Sequence, residues 1–136
     1  MLVNETQLRV QYYETDQMGV VHHSNYIRYF EIGRTELMRS IGLCYNRLEN
    51  SGTVMPITNV EVRYFYPALY DEVLCIKSSI KEMPKARITF QYEIYNEQKK
   101  LLVAGSTTLA FVNKLTGRPQ RAPETMIKAL AEHFKS

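Results

Sequence analysis

A long helix set among strands is the feature that most constrains the fold of this chain. Apolar residues at three- and four-residue steps predict a helix that begins at Ser24 or Asn25, either of which can cap it, and ends near Ile41. Further apolar residues widen this stripe well beyond one face: Ile27, Tyr29, Ile32 and Met38. A helix that is apolar around most of its circumference is usually buried by surrounding structure. We therefore expect the other elements to cover it.

Alternating apolar residues predict that most of the remaining chain is strand. The predicted strands run from about Gln7 to Glu14, Ile57 to Tyr66, Val73 to Lys81, Arg87 to Tyr95 and Leu101 to Val112. Pro123 can open a short C-terminal helix. One apolar helix facing five strands requires the sheet to curl around it, and Gly33, which is unfavourable within a helix, predicts close packing against a strand. An α+β fold is therefore expected, in a single domain spanning residues 1–136.

Composition and charge exclude several classes of protein. The net charge of +3 falls well short of the concentrated basic face of a nucleic-acid binder, and no apolar segment is long enough to span a bilayer. The first residues lack the basic region and apolar run of a secretory signal. Cys44, near a helix end, and Cys75, inside a strand, are too few for a disulfide framework and are expected to be buried, reduced thiols. We therefore expect a cytoplasmic protein.

The loop before the helix carries the residues that suggest a chemistry. Asp16 lies in this loop with Gly19, and the loop runs directly into the start of the helix. A helix N-terminus offers unpaired backbone N–H groups and a partial positive charge. A carboxylate beside such donors can attack, or activate water against, a carbonyl that the donors polarise. This combination can hydrolyse an activated acyl group without a metal or cofactor, although Asp is also common as a turn or capping residue.

The same residues resemble the signature of a known enzyme family. The shared positions are Asp16, Gly19, Val20, Val21, His22, His23 and Tyr26 in the loop and first helical turn, the run from Tyr29 to Glu36, Pro67-Ala68 and Asp71-Glu72. At these positions, and in the order of its strands, the sequence is similar to the hotdog-fold acyl-CoA thioesterases. It looks closest to the branch that contains 4-hydroxybenzoyl-CoA thioesterase and the short-chain thioesterases associated with the Tol-Pal system.

This resemblance implies a fold, an activity and an assembly. The fold would be a five-stranded antiparallel sheet curled around a long central helix. The assembly would be a homo-oligomer, commonly a tetramer made of dimers, with active sites at subunit interfaces. Asp16 would be the catalytic carboxylate, either a nucleophile that forms a mixed anhydride or a general base, and the backbone N–H of His23 would bind the thioester oxygen. The substrate-binding residues would be Gly19, Val20, Val21 and Tyr26, and no cofactor would be needed.

Three polar residues beside the loop have alternative interpretations. Adjacent side chains such as His22 and His23 usually diverge, and no third ligand lies at a zinc-like spacing, so no metal site is expected. His22 would face solvent or a neighbouring subunit, whereas His23 would line the site, hydrogen-bond the substrate or orient Asp16. Ser24 is better explained as a helix cap than as a nucleophile, because no base–orienter arrangement is apparent.

Charged residues outside the loop have both functional and structural interpretations. Glu31 could be a second acid, but its spacing favours an ion pair with Arg28 or Arg34. Four basic residues are candidates for binding the phosphates of coenzyme A, although ordinary solvated loop charge is the simpler explanation for each: Lys85, Arg87, Arg118 and Arg121.

Three functions remain open on these observations. The intact loop motif favours hydrolysis of an acyl-CoA, or of an acyl-carrier-protein thioester, to a free acid and a thiol. A non-catalytic acyl-thioester-binding or assembly module would not need Asp16. Nucleic-acid binding has only the mild basic balance in its favour. The stretch from Leu43 to Met55 can contribute to the substrate pocket as a flexible flap, and the choice between aromatic and short aliphatic acyl groups stays open.

Overall fold

The computed structural model describes residues 1–134 and contains three helices and seven strands. The strands are β1 (Leu2–Arg9), β2 (Thr53–Val54), β3 (Ile57–Tyr64), β4 (Val73–Ile80), β5 (Arg87–Tyr95), β6 (Leu101–Asn113) and β7 (Pro119–Gln120). The helices are α1 (Asn25–Ser40), α2 (Tyr45–Asn50) and α3 (Glu124–Ala131), with 3₁₀ turns at Tyr12–Glu14 and Glu132–Phe134. None of the helices in residues 1–134 has the length and hydropathy needed to cross a membrane.

All strands belong to one sheet, and every pairing in it is antiparallel. The sheet runs β1-β4-β5-β6, and β2, β3 and β7 also pair with β6. β5 and β3 pair with the same stretch of β6, so they flank it on opposite sides. β1 and β3 are therefore the long edge strands, and nearly every side chain of β3 is exposed.

The sequence correctly predicted an α+β chain whose longest helix precedes most of its strands, but the predicted count of five strands was wrong. The two additional strands, β2 and β7, are each two residues long and pair only with the C-terminal part of β6. A two-residue strand contains no alternation, so its existence depends on the pairing partner and not on a local pattern.

The first strand was also predicted in the wrong place. It spans Leu2–Arg9, whereas alternation predicted Gln7 to Glu14. Asn4 and Thr6 occupy half-buried positions on the same side as Leu2, so polar residues hide the period-two pattern of the true strand. Beyond Arg9 the chain leaves the sheet and forms a 3₁₀ turn over Tyr12–Glu14.

Helix α1 packs one face against β1, β4 and β5. Its observed bounds match those of the predicted helix. The expected burial around most of its circumference does not occur within one chain, because Ile27 and Ile32 are 39% and 42% exposed. The prediction for Gly33 is confirmed: a Cβ atom at this position would lie 2.7 Å from Cγ2 of Ile76 in β4. Because Gly33 has no side chain, the helix can approach the sheet closely at this position.

Three smaller predictions can be compared with the structure. Cys75 lies in β4, as predicted. Cys44 follows the end of α1 by four residues, near a helix end as predicted, and directly precedes α2, which was not predicted. Both free thiols are half-buried rather than buried. The stretch predicted as a flap contains α2 and β2, so most of it has regular structure. The predicted C-terminal helix is present as α3, and Pro123 occupies its N-cap position.

Candidate functional site

The two arms of the loop before α1 are joined to each other by backbone hydrogen bonds. Thr15 and Val21 form an antiparallel bridge, and the Asp16 N–H donates to the Val20 carbonyl at 2.9 Å. Gly19 donates its N–H to the Asp16 carbonyl at 3.0 Å and has a φ of +77°, which strongly favours glycine. The turn thus holds Asp16 directly opposite Val20.

A second chain segment fixes this turn from the outside. Val20 forms an antiparallel bridge with Leu69, the Val21 N–H donates to the Ala68 carbonyl at 2.9 Å, and the Tyr70 N–H donates to the Gly19 carbonyl at 3.0 Å. These bonds anchor the return arm of the loop along most of its length.

The side chain of Asp16 is exposed and is oriented by its own loop. Its Oδ1 accepts hydrogen bonds from the backbone N–H groups of Met18 at 2.8 Å and Val20 at 3.3 Å. Among residues 1–134, no hydrogen-bond donor is found for Oδ2. One carboxylate oxygen therefore fixes the orientation, and the other remains available for chemistry.

Several backbone donors around the start of α1 already have acceptors. The His22 N–H donates to the Glu14 carbonyl at 2.9 Å, the Ser24 N–H to Nδ1 of His22 at 3.3 Å, and the Asn25 N–H to the His22 carbonyl at 2.9 Å. The N–H of His23 has no acceptor within the described chain. It is therefore a free donor just before the first turn of α1, at the residue that the resemblance assigns to binding the thioester oxygen.

The predicted helix caps are not formed. Ser24 has helical backbone angles, and its hydroxyl lies 2.9 Å from Nδ1 of His22 instead of capping an N–H of α1. The Asn25 amide donates to the Glu14 carbonyl at 2.9 Å, so it too is directed away from the helix donors. A cap is predicted from residue type alone, whereas here neighbouring loop groups compete for both side chains.

The side chains of the two histidines contact each other. Their ring centroids lie 4.2 Å apart, so the expectation that adjacent side chains diverge was wrong. Residues 1–134 contain no group of His, Cys, Asp and Glu arranged to hold a metal ion. No hydrogen bond joins the His23 side chain to Asp16 in this part of the chain, so His23 enters the geometry through its backbone N–H.

Tyr26 and Val21 lie behind the loop and not on its surface. Tyr26 is 2% exposed, and its hydroxyl accepts a hydrogen bond from the Ala68 N–H at 3.1 Å. Burial raises the pKa of Tyr26, so this hydroxyl remains neutral. Since Ala68 also holds Val21, the Tyr26 ring supports the loop from the core rather than offering an open contact surface.

The charged candidates outside the loop are dispersed. The predicted partners of Glu31 were wrong: the ion pairs of residues 1–134 are Arg9–Asp71 and Arg39–Glu36. Arg34 is buried and donates instead to the hydroxyls of Tyr45 at 2.9 Å and Tyr92 at 3.4 Å.

The four basic phosphate candidates are all exposed, but Arg87 lies far from the loop. Tyr64, whose hydroxyl donates to the His23 carbonyl at 3.3 Å, pairs with Val103 of β6. Arg87 pairs with Ala110 on the same strand. Val103 and Ala110 are seven residues apart along β6, which corresponds to about 23 Å at roughly 3.3 Å per residue. The Ala122 N–H donates to the Lys85 carbonyl at 2.7 Å, which places the segments of Lys85 and Arg121 beside each other.

Sequence reasoning missed the acid closest to the loop. Glu14 was placed at the end of a strand, but it is buried at 6% exposure and its carboxylate accepts from the Gln11 N–H at 2.8 Å and the Tyr29 hydroxyl at 3.0 Å. No local signal identifies it, because a glutamate among exposed tyrosines is typical of a solvated turn. Its burial follows only from the docking of this turn on α1.

The loop is surrounded by exposed apolar side chains. The residues concerned are Tyr12, Tyr13, Met18, Leu69 and Tyr70. The rings of Tyr12 and Tyr70 meet edge to face with centroids 5.5 Å apart. A cleft of about 480 Å³ on the chain lies elsewhere, between β1, β4 and the turn after β5. Within one chain, Asp16 is thus at the surface and not inside that cleft.

Comparisons with known proteins identify related sequences along most of the chain. The sequence profile of the thioesterase-like superfamily matches residues 10–130. Acyl-CoA thioester hydrolase YbgC of Escherichia coli O157:H7 is 28% identical over 120 residues, covering 88% of this chain and 90% of that protein. The acyl-acyl carrier protein thioesterase ATL2 of Arabidopsis thaliana is 31% identical over 134 residues, covering 97% and 70%.

The solved structures include one of similar sequence and size. The crystal structure of DHNA-CoA thioesterase from Staphylococcus aureus superimposes with a TM-score of 0.87 and 30% sequence identity. The match covers 100% of this chain and 97% of that one.

Proposed function

The chain belongs to the thioesterase-like superfamily, and on that premise we propose that its Asp16 loop and the start of α1 form the site at which it hydrolyses a thioester. The reaction converts an acyl-CoA and water to a free carboxylic acid and coenzyme A. The fold is α+β of the hotdog kind, as in the thioesterases it superimposes on. The observation that carries the proposal is the pairing of an oriented carboxylate with one free backbone donor.

Asp16 supplies the reacting oxygen in this proposal. With Oδ1 held by the N–H groups of Met18 and Val20, Oδ2 can act in either of two ways. As a nucleophile, it forms a bond to the thioester carbon, the thiolate of coenzyme A leaves, and water then hydrolyses the mixed anhydride. As a general base, it takes a proton from water while that water attacks the same carbon; the C–S bond then breaks, and the departing thiolate of coenzyme A takes up the proton. Both routes require the ionised carboxylate.

The backbone N–H of His23 supplies the second component. It lies at the N-terminus of a 16-residue helix, whose dipole favours negative charge at that end. In both routes the thioester oxygen becomes negatively charged, and a fixed N–H directed at it lowers the barrier. Removal of one such donor typically costs about 10²–10³ in rate.

A homo-oligomer completes the site in this proposal. Three neighbouring features offer a partner apolar surface and an unpaired strand edge. They are the apolar residues around the Asp16 loop, the exposed edge strand β3, and Ile27 and Ile32 of α1. We infer that a second copy covers them in a two-fold dimer, and that dimers pair into a tetramer. Arg87 lies far from the loop of its own chain. In this proposal, if Arg87 binds a phosphate of coenzyme A, that coenzyme A therefore occupies the site of a partner subunit.

The substrate is proposed to be an acyl-CoA, with coenzyme A in preference to a carrier protein. The relative named YbgC acts on acyl-CoA, and the Staphylococcus aureus structure is named for DHNA-CoA, whereas ATL2 is named for acyl-carrier-protein substrates. A carrier-protein thioester is therefore the second candidate. The reduced, half-buried Cys44 and Cys75 fit a cytoplasmic location, where coenzyme A esters are hydrolysed in this proposal.

The proposal is tested by thiol release from a panel of thioesters. The panel runs from acetyl-CoA to palmitoyl-CoA and adds benzoyl-, 4-hydroxybenzoyl- and 1,4-dihydroxy-2-naphthoyl-CoA, with acyl-carrier-protein esters alongside. Asp16→Asn should lower kcat by about 10²-fold or more on every accepted substrate. Glu82→Gln makes the equivalent change at an exposed glutamate beyond the end of β4 that lies away from the loop, and should leave kcat unchanged.

Two results would contradict the proposal. A folded Asp16→Asn protein that hydrolyses at the wild-type rate would remove Asp16 from the mechanism. Tight thioester binding without turnover by the wild type would favour a non-catalytic binding module.

A further inference from the structure

Glu14 is a buried carboxylate beside the reactive loop that the proposed mechanism does not use. It lies two residues before Asp16, is 6% exposed, and has no basic partner among the ion pairs of residues 1–134. A buried, unpaired carboxylate is costly unless hydrogen bonds compensate for its lost hydration. The contacts of Glu14 should therefore explain why it is there.

The carboxylate of Glu14 ties the entry arm of the loop to the middle of α1. Its Oε1 accepts both the Gln11 N–H at 2.8 Å and the Tyr29 hydroxyl at 3.0 Å. Burial, and secondarily the hydrogen bond to Glu14, raises the pKa of Tyr29. Tyr29 therefore keeps its proton and remains a donor, so that one carboxylate oxygen joins a turn and a helix.

The carbonyl of Glu14 ties the return arm to the start of the same helix. It accepts the His22 N–H and the Asn25 side-chain amide, both at 2.9 Å. Four donors from separate positions thus converge on one residue. Because this carbonyl takes the N–H of His22, the N–H of His23 is the next donor along the chain and is left free.

From this convergence we propose that Glu14 is a positioning residue, which sets where the free His23 N–H lies relative to the Asp16 carboxylate. The inference rests on the proposed function of those two groups. Glu14 does not touch the substrate. Its hydrogen bonds hold both arms of the loop against α1, and a displacement of about 1 Å between reacting groups can cost about 10²-fold in rate.

The proposed role of Glu14 depends on the position of its acceptor oxygen and not on the charge of that oxygen. Two substitutions separate these two properties. Glu14→Gln keeps an oxygen at the same reach, although it is neutral. Glu14→Asp keeps the charge but is one methylene shorter, so it cannot meet both Gln11 and Tyr29. We expect Glu14→Asp to lower kcat by about 10- to 10²-fold with KM little changed, and Glu14→Gln to keep most of the wild-type kcat.

Three further measurements separate positioning from simple destabilisation. Tyr29→Phe removes one donor and should lower kcat in the same manner but less. Glu36→Asp, the same shortening at a half-buried glutamate of α1 that pairs with Arg39, is the matched control and should leave kcat unchanged. In an Asp16→Asn background, Glu14→Asp should have little further effect on the residual rate, because residues acting as a unit are not additive.

The outcomes distinguish this inference from the function on which it rests. If Asp16→Asn abolishes hydrolysis while folded Glu14→Asp and Tyr29→Phe proteins keep the wild-type kcat, the role of Glu14 is overturned and the proposed function stands. The role of Glu14 is also overturned if Glu14→Gln lowers kcat more than Glu14→Asp does. It is overturned as well if the kcat losses of Asp16→Asn and Glu14→Asp multiply fully in the variant that carries both. Wild-type hydrolysis by Asp16→Asn overturns both.

Discussion

The candidate site is built from backbone groups as much as from side chains. Asp16 is held by two N–H groups of its own turn, and the N–H of His23 before the helix is a free donor. A backbone donor needs no particular side chain, so residue type at position 23 carries little information about it. The side chain that orders this region is Glu14, which local sequence placed in a strand.

The distinction between the side chain and the backbone of His23 can be tested directly. His23→Ala keeps the N–H and should leave kcat within a few-fold of the wild type. His23→Pro removes the N–H and should lower kcat by about 10²–10³. Steady-state thiol release measures both.

Ser24→Pro is the control for the backbone effects of proline. Ser24 has a φ of −65°, which proline adopts, and its N–H donates only to the His22 ring. Its kcat should exceed that of His23→Pro by at least tenfold. Equal losses in His23→Ala and His23→Pro would show that the side chain, and not the N–H, is required.

At the scale of elements, α1 and the sheet approach each other at a position without a side chain. Gly33 faces Ile76 and Ser78 of β4, and Ser78 is fully buried with its hydroxyl unpaired within the described chain. The same helix carries the loop and the free N–H at its N-terminus. The depth at which α1 rests on β4 therefore influences where the site lies relative to the sheet.

Gly33→Ala tests whether this close approach limits stability. Helix propensity alone would stabilise the variant by up to about 1 kcal/mol. A Cβ atom 2.7 Å from Cγ2 of Ile76 instead forces the helix or the strand to shift, which typically costs about 1–3 kcal/mol. We expect net destabilisation in urea unfolding, and a stabilised variant would show that the packing tolerates a methyl group.

At the scale of the whole molecule, one chain leaves its site uncovered. The exposed apolar residues of the loop, Ile27 of α1 and Tyr64 of β3 lie near the start of the helix, where Tyr64 meets His23. Burial of this surface by a second copy would also exclude water from the thioester, which strengthens the interaction of Asp16 and the His23 N–H with the developing charge. Assembly and activity are therefore coupled in our proposal.

Val60→Lys tests this coupling. Val60 lies in the middle of β3 and is 37% exposed, so the charge is tolerated by a single chain but is unfavourable in a buried interface. We expect a smaller species in light scattering after size exclusion, together with lower kcat/KM. Leu115→Lys places the same charge at a turn residue that is 94% exposed and should change neither. If the Val60→Lys protein has the same mass as the wild type, the interface between copies does not include β3.

Local sequence was enough to predict the bounds of α1, the four long strands from Ile57 to Asn113, the close packing at Gly33 and the position of the Asp16 loop. Each depends on a local period or on the conformational limits of one residue. The place of β1, the existence of β2 and β7, the burial of Glu14 and Tyr26, and the distance of Arg87 from the loop became known from the folded chain. These features depend on which distant segments meet, because a polar residue becomes buried only where folding brings it the hydrogen-bond partners that replace water.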